Sequence, residues 1–378
     1  MRTSAIWRPG AVAAASALAF LALTGARAAP AARASSARPQ TAYVVSLDAS
    51  TVTPINTATN KAGPPIKVGV NPNAIAITPN GKTAYVTNSG SGTVTPISTA
   101  TNHAGTPIKV GKLPFYLAIT PNGKTVYVSS ANAVTPISTA TNKAGKPVKV
   151  ADAGDLAITP DGKTLYAASS TGTVTPISTA ANRAGKPIKV GRTAGYIAIT
   201  PNGKTAYVTI SNLSADTVVP IRIATNTAGK SIKVGTDPGA ITITPDGKTA
   251  YVACFHARYP VAQGSVWPVS TATGKPGRRI LVNGFPTHFA MTGTTVYVTT
   301  GQGVTPIRDS TSTAGRSFAA GAGPWAIALT ASGAAGYVTD DGTGSQPGDT
   351  VTPFSTRTNK AGKAIKVGLS PVAIALTP

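Results

Sequence analysis

The sequence repeats itself. The stretch 73–110, NAIAITPNGKTAYVTNSGSGTVTPISTATNHAGTPIKV, returns in recognisable form to the end of the chain, and its tyrosine recurs at Tyr43, Tyr85, Tyr127, Tyr166, Tyr207, Tyr251, Tyr297 and Tyr337, spaced by 39 to 46 residues. A period of that length restricts the chain to stacked supersecondary units, a propeller or a solenoid, because one such unit cannot bury both of its faces alone.

Four short runs within the unit have strand character. Residues 74–78 alternate small and branched side chains, and Pro79-Asn80-Gly81-Lys82 follows as a hairpin signal, since Asn-Gly supplies the positive φ angles of a tight turn. Residues 83–87 form the second run, 93–98 the third and 107–110 the fourth, with Gly- and Asn-rich turns at 88–92 and 101–105 between them. No long helical periodicity interrupts this pattern. The unit therefore reads as one four-stranded antiparallel propeller blade.

Counting copies decides how the ring closes. The third strand recurs as Val52 to Ile55, Val94 to Ile97, Val134 to Ile137, Val174 to Ile177, Val218 to Ile221, Val266 to Val269, Val304 to Ile307 and Val351 to Phe354, eight times in all. The pattern enters on a second strand, 41–45, and leaves on a first strand, 373–377, so the two ends supply the halves of one blade. Pairing them closes the circle and removes exposed sheet edges. The expected fold is an all-β, single eight-bladed propeller over 41–378; seven blades is the alternative, because the copies across 280–330 are degenerate. A proline inside every third strand, Pro54, Pro96, Pro136, Pro176, Pro220, Pro268, Pro306 and Pro353, removes a ladder donor and implies a short outer strand or a bulge opposite it.

Tyr85-Val86-Thr87-Asn88, with variants such as Tyr127-Val128-Ser129-Ser130 and Tyr207-Val208-Thr209-Ile210, resembles the YVTN-repeat β-propeller family of microbial surface-layer and secreted proteins. The resemblance spans nearly the whole chain after residue 40. It implies the fold much more sharply than a function, because the family is defined mainly by its blades.

Residues 1–28 carry Arg2 and Arg8, an alanine-rich apolar run over 11–23 and Ala26-Arg27-Ala28 as a small-x-small cleavage signal, which together read as a secretory leader. The apolar run is short for a bilayer, which needs about 20 residues, so no membrane span is expected after leader removal. Residues 29–40, rich in Ala, Ser, Pro and Arg, read as a flexible spacer. The single Cys254 excludes an intramolecular disulfide and a multi-cysteine zinc site.

Charge is the second strong signal. Lys and Arg number 34 against 11 acidic residues, all aspartate, for a formal net charge of +23. Such a surface attracts anionic polymers. Lys67, Lys109, Lys149, Lys189, Lys233 and Lys366 fall on the outermost strand, where lysine guards against edge-to-edge aggregation. Lys82, Lys124, Lys163, Lys204 and Lys248 occupy the hairpins and belong to a ring on one face. No recognition helix or aromatic RNA-binding motif accompanies the charge, so nucleic acid has no specific motif here.

Departures from the repeat gather on the other face. The segments 210–216, 254–264 and 340–349 are insertions, and Phe115, Tyr116, Tyr196, Phe285, His288 and Trp325 stand in the inter-blade connections. Phe115, Tyr116, Tyr196, His256, Arg258, Tyr259, His288 and Trp325 are the candidate binding residues, with channel plugging as the competing explanation for the aromatics. His256 and His288 alone do not make a metal site, and no cofactor is expected. Asp161 and Asp246 replace hairpin asparagines and need no catalytic role. Asp155, Asp237, Asp340, Asp341 and Asp349 lie near the same face, placed by sequence in scattered loops without an evident acid-base pair. The expected function is a secreted, monomeric, non-catalytic scaffold that binds an anionic cell-envelope polymer or a protein partner. The alternative is a lactonase-like or lyase-like enzyme with a channel-mouth site, although the absence of glutamate removes glutamate-dependent lactonase chemistry.

Overall fold

A computed structural model describes residues 40–211, 216–255, 263–343 and 346–378. The leader, most of the spacer, and His256, Arg258 and Tyr259 lie outside the described residues.

The strands form eight separate antiparallel sheets arranged as a ring. Blade 2 shows the plan: Pro72–Ile77 is innermost, followed by Thr83–Asn88, Thr93–Ser98 and a divided outer strand, His103–Ala104 and Ile108–Lys109. Innermost strands of blades 3 to 8 are Leu117–Ile119, Ala153–Ile158, Ala194–Ile199, Pro238–Ile243, Pro286–Met291 and Pro324–Leu329. Blade 1 takes its innermost strand, Pro371–Leu376, from the C-terminus and the rest from the N-terminal end, beginning with Thr41–Ser46. The register Ala42↔Leu376, Tyr43↔Ala375, Val44↔Ile374 and Val45↔Ala373 closes the circle as the repeat phase requires. The degenerate stretch supplies the outer strand of blade 6, Ile280–Asn283, and then a complete blade 7, so the seven-bladed alternative is excluded.

The prolines explain the broken outer strand. Pro54 pairs with Tyr43 on one side, and its carbonyl accepts the Gly63 N–H at 2.8 Å on the other, so its missing donor also faces the outer strand. Opposite it the outer strand divides into Lys61–Ala62 and Ile66–Lys67, so the ladder is interrupted where the proline offers no donor. The same Gly-to-Pro bond recurs at 2.7 Å in the other seven blades, from Gly105 to Pro96 through Gly362 to Pro353. Two-residue outer pieces are poor templates for another strand, which limits edge pairing.

Packing is between blades. Tyr43, Val45, Val52 and Ile66 of blade 1 bury against Ile75, Ala84, Val86 and Ile97 of blade 2, and equivalent clusters occupy the other seams. The repeated tyrosine has a polar task as well. Tyr85 donates its hydroxyl to Asn142 Oδ1 of the next blade at 2.6 Å, and Tyr43, Tyr127, Tyr166 and Tyr337 bond Asn102, Asn182, Asn226 and Asn60 at the same distance. Each of those asparagines holds a positive φ in the outer turn, a conformation asparagine tolerates, so one side chain both makes the turn and latches the neighbouring blade. Burial is the cause that pushes these phenols up, to about 12 at Tyr43, Tyr127 and Tyr166, which keeps them protonated donors.

Candidate functional site

Loop connections place the variable segments together. Ser89 and Gly90, between the second and third strands of blade 2, donate to Asn71 and Val70 in the connection that enters the blade. The insertions obey the same geometry: Ser211 bonds Thr193, Phe255 bonds Asp237, and Asp341 bonds Gly323. Their described ends therefore lie on one face, opposite the Asn-Gly hairpins. The segment 340–349 prolongs two paired strands, Ala335–Thr343 and Gln346–Ser355.

On the channel side two clusters form. Tyr116 of blade 3 and Tyr196 of blade 5 meet edge to face with ring centroids 6.4 Å apart. Residues on blades separated by an intervening one can meet only across that blade's channel side. The intervening blade contributes Asp155, which stands on the innermost strand rather than in a loop, 2% exposed, with Oδ2 accepting the Ile197 N–H at 3.0 Å. Tyr116, Asp155 and Tyr196 occupy the same repeat position, filled by Ala74 in blade 2; alignment of the copies could have found the trio. Burial raises both phenols far above their ordinary value, and the Asp155 charge adds to this. Both stay neutral near pH 7, so neither is poised as a general base. The trio offers aromatic faces and hydroxyls around a carboxylate, a lining suited to uncharged polar or cationic groups.

The second cluster joins blades 7 and 8. His288, 2% exposed, lies 5.4 Å from Trp325, ring to ring. The Trp325 carbonyl accepts hydroxyls from Thr287 at 3.1 Å and Thr299 at 2.6 Å, while its buried indole N–H has no hydrogen-bond partner among the described residues. Phe115 remains half-buried and is fixed through its backbone, its N–H donating to Ser129 and its carbonyl accepting from Thr87 Oγ1. Phe285 stacks obliquely on Phe255, 6.2 Å away. Among the described residues, Tyr116–Tyr196 and His288–Trp325 thus form separate pairs and Phe115 stands apart from both, so the candidates do not converge on one point.

Asp161, Asp246, Asp340 and Cys254 serve the fold. Asp161 and Asp246 accept the N–H of Lys163 and Lys248 at 3.0 Å, the bond Asn80 makes to Lys82, which accounts for their presence in hairpins. Asp340 belongs to a strand, not a loop, and is 1% exposed; Thr350 and Thr352 donate to Oδ2, Oδ1 has no partner among the described residues, and burial pushes the carboxyl up to about 6. Burial likewise raises the Cys254 thiol to about 12, suppressing the reactive thiolate. Leu369, Val70 and Leu113, in three successive blade connections, are 46%, 56% and 51% exposed and put an apolar arc on the loop face.

No protein-family model matches the chain, and no curated protein does. Solved structures do. A hydrazine synthase structure from Kuenenia stuttgartiensis is similar at a TM-score of 0.60 and 21% identity, over 78% of this chain and 94% of that one. Dihydro-heme d1 dehydrogenase NirN in complex with DHE gives 0.71 and 12%, over 91% and 76%. A functionally unknown protein from Desulfotomaculum acetoxidans gives 0.62 and 17%, over 89% and 98%. At these identities the likeness is one of fold, and chemistry does not transfer with it. The chain is an eight-bladed β-propeller with a repetitive hairpin face and a variable loop face.

Proposed function

We propose that this chain is a secreted or surface-associated, non-catalytic scaffold, a propeller of the YVTN-repeat type, whose cationic surface adheres to anionic cell-envelope polymer while its loop face takes a specific partner. Uncompensated charge carries the reading. Against 34 Lys and Arg in the sequence, the described residues contain four Lys–Asp ion pairs, Lys163–Asp161, Lys233–Asp216, Lys248–Asp246 and Lys366–Asp349, with those lysines 82 to 83% exposed. Asp155 and Asp340 are buried, so still fewer carboxylates face solvent. A surface of this kind concentrates polyanions around it. The leader-like segment 1–28 supports export, and the apolar arc of Leu369, Val70 and Leu113 supports a docking role for the loop face.

Retention of the mature protein on isolated envelope material tests this. The Debye length falls from about 10 Å at 0.1 M salt to about 3 Å at 1 M, so adhesion through exposed lysines weakens steeply over that range. Retention that does not change with salt would refute the polymer reading.

A further inference from the structure

The lysines are not equivalent. Those on the outer strand, such as Lys67 and Lys109, stand on exposed sheet edges, where edge protection is sufficient reason for them. The hairpin lysines join the first and second strands inside each sheet, where no edge needs guarding. Lys82, Lys124, Lys163, Lys204 and Lys248 follow one another through blades 2 to 6, each with its backbone N–H held at 3.0 Å by the Asn or Asp two residues earlier. Five cations therefore spring from the same backbone geometry, three of them beside a neutral asparagine and two, Lys163 and Lys248, in exposed pairs with Asp161 and Asp246 at 3.9 and 3.3 Å.

The hairpins also touch. A Cβ built on Gly123 would lie 3.2 Å from Pro79 of the preceding blade, and the pairs Gly162/Pro121, Gly203/Pro160 and Gly247/Pro201 repeat that approach at 3.2 to 3.4 Å. Blades 2 to 6 thus present one continuous arc. It ends at blade 7, where the hairpin shortens to Thr292-Gly293-Thr294, the lysine is gone and a Cβ built on Gly293 would meet nothing within 4 Å among the described residues. Between the hairpins of blades 4 and 5, beside Lys163 and Lys204, lies a groove of about 240 Å³ with Pro160, Pro201 and Ile223 as apolar lining and Asp161, Thr164 and Asn202 as polar lining.

We propose that this arc is the track for a linear acidic polysaccharide, its anionic groups spaced along the lysines and a sugar ring seated in the groove. The proposal rests on the polymer adhesion inferred above and assigns it to one face. Proline and isoleucine suit the apolar face of a pyranose, and the neighbouring amide, hydroxyl and carboxylate suit its hydroxyls. The arc has no aromatic platform for stacked bases, which sets single-stranded nucleic acid aside.

The test measures binding of the full mature chain to alginate and heparin across a NaCl series. It compares wild type, the arc variant K82Q/K124Q/K163Q/K204Q/K248Q and the outer-strand variant K67Q/K109Q/K149Q/K189Q. Circular dichroism and thermal midpoints establish folding; the hairpin caps remain, since they come from Asn and Asp. The arc variant is expected to lose about tenfold or more in low-salt affinity with a shallower salt dependence, and the outer-strand variant to stay within about twofold of wild type. Equal losses in the two variants, or no loss in the arc variant, would overturn the arc while leaving polymer adhesion standing. A wild type bound by neither polymer at low salt would overturn adhesion itself, and inorganic polyphosphate bound as tightly as alginate would overturn the polysaccharide assignment.

Discussion

On the hairpin face, five successive blades place threonine, asparagine or aspartate, glycine and lysine in one turn, and outer-turn asparagines catch tyrosines from the preceding blade. On the loop face the corresponding connections carry alanine, leucine, arginine, aspartate or phenylalanine, with insertions at three blades. The difference is one of mechanical duty. Where blades hold one another, substitution costs an inter-blade bond; where the chain merely crosses between blades, side chains are free to diversify. Repetition therefore marks the scaffold and, through its hairpin lysines, the proposed polymer track, while departure from it marks places available to a specific partner.

The largest effect expected is at the seam joining the two ends. Removing 371–378 strips blade 1 of its inner strand, its register with Thr41–Ser46 and the Thr377 N–H to Thr41 carbonyl bond at 3.0 Å. Domains are stable by only roughly 5–15 kcal/mol, so without this inner strand the truncated chain should show no cooperative thermal transition. A sharp transition at the wild-type temperature would mean that the ring does not depend on closure.

Next in size is Asp340. An acid whose pKa rises on folding favours the folded state when protonated; that contribution is complete below the ordinary carboxylate range near pH 4 and is lost as pH climbs through about 6. Asn88, at the same repeat position, donates to Thr93 and Thr95, so asparagine fits the site. Asp340→Asn should therefore stabilise by up to about 3 kcal/mol at pH 8 and by little at pH 4, read as thermal midpoints. An equal change at both pH values would contradict the buried-charge explanation.

The latches come third. Tyr85→Phe leaves Asn142 Oδ1 without its donor and should cost about 1–2 kcal/mol in denaturant unfolding. Tyr207→Phe should cost less, because its partner is only the Thr271 carbonyl at 3.2 Å. The smallest effect is a gain. Gly274 stands at positive φ where sister turns have asparagine, and Gly274→Asn should restore the latch to Tyr207 for about 0.5 kcal/mol. No gain there would confine the latch to blades that already carry it.

Much of this was legible in the sequence. Period, turn residues and strand phase located the eight blades and the shared blade at the ends, because each is a local pattern repeated many times. The prolines announced an irregular outer strand, and the interruption at Gly63 supplied its form. The Tyr85–Asn142 latch spans 57 residues, so both partners were visible as repeats without their connection being so. Asp155 reads as a loop residue because its copy of the first strand begins with Ala153-Gly154, a turn-like pair, yet Ala153 and Leu156 on either side pair with Ser169 and Ala167 and hold it in the sheet at a register shift. The approach of Tyr116 to Tyr196 depends on ring curvature, which no single copy of the repeat encodes.

The division of labour between faces is tested most directly by lysine-reactivity footprinting of the full mature chain with and without saturating alginate. Protection concentrated at Lys82, Lys124, Lys163, Lys204 and Lys248, with Lys67, Lys109, Lys149 and Lys189 labelled at their free rates, is the predicted result. Uniform protection of both sets, or protection confined to the outer-strand lysines, would contradict it.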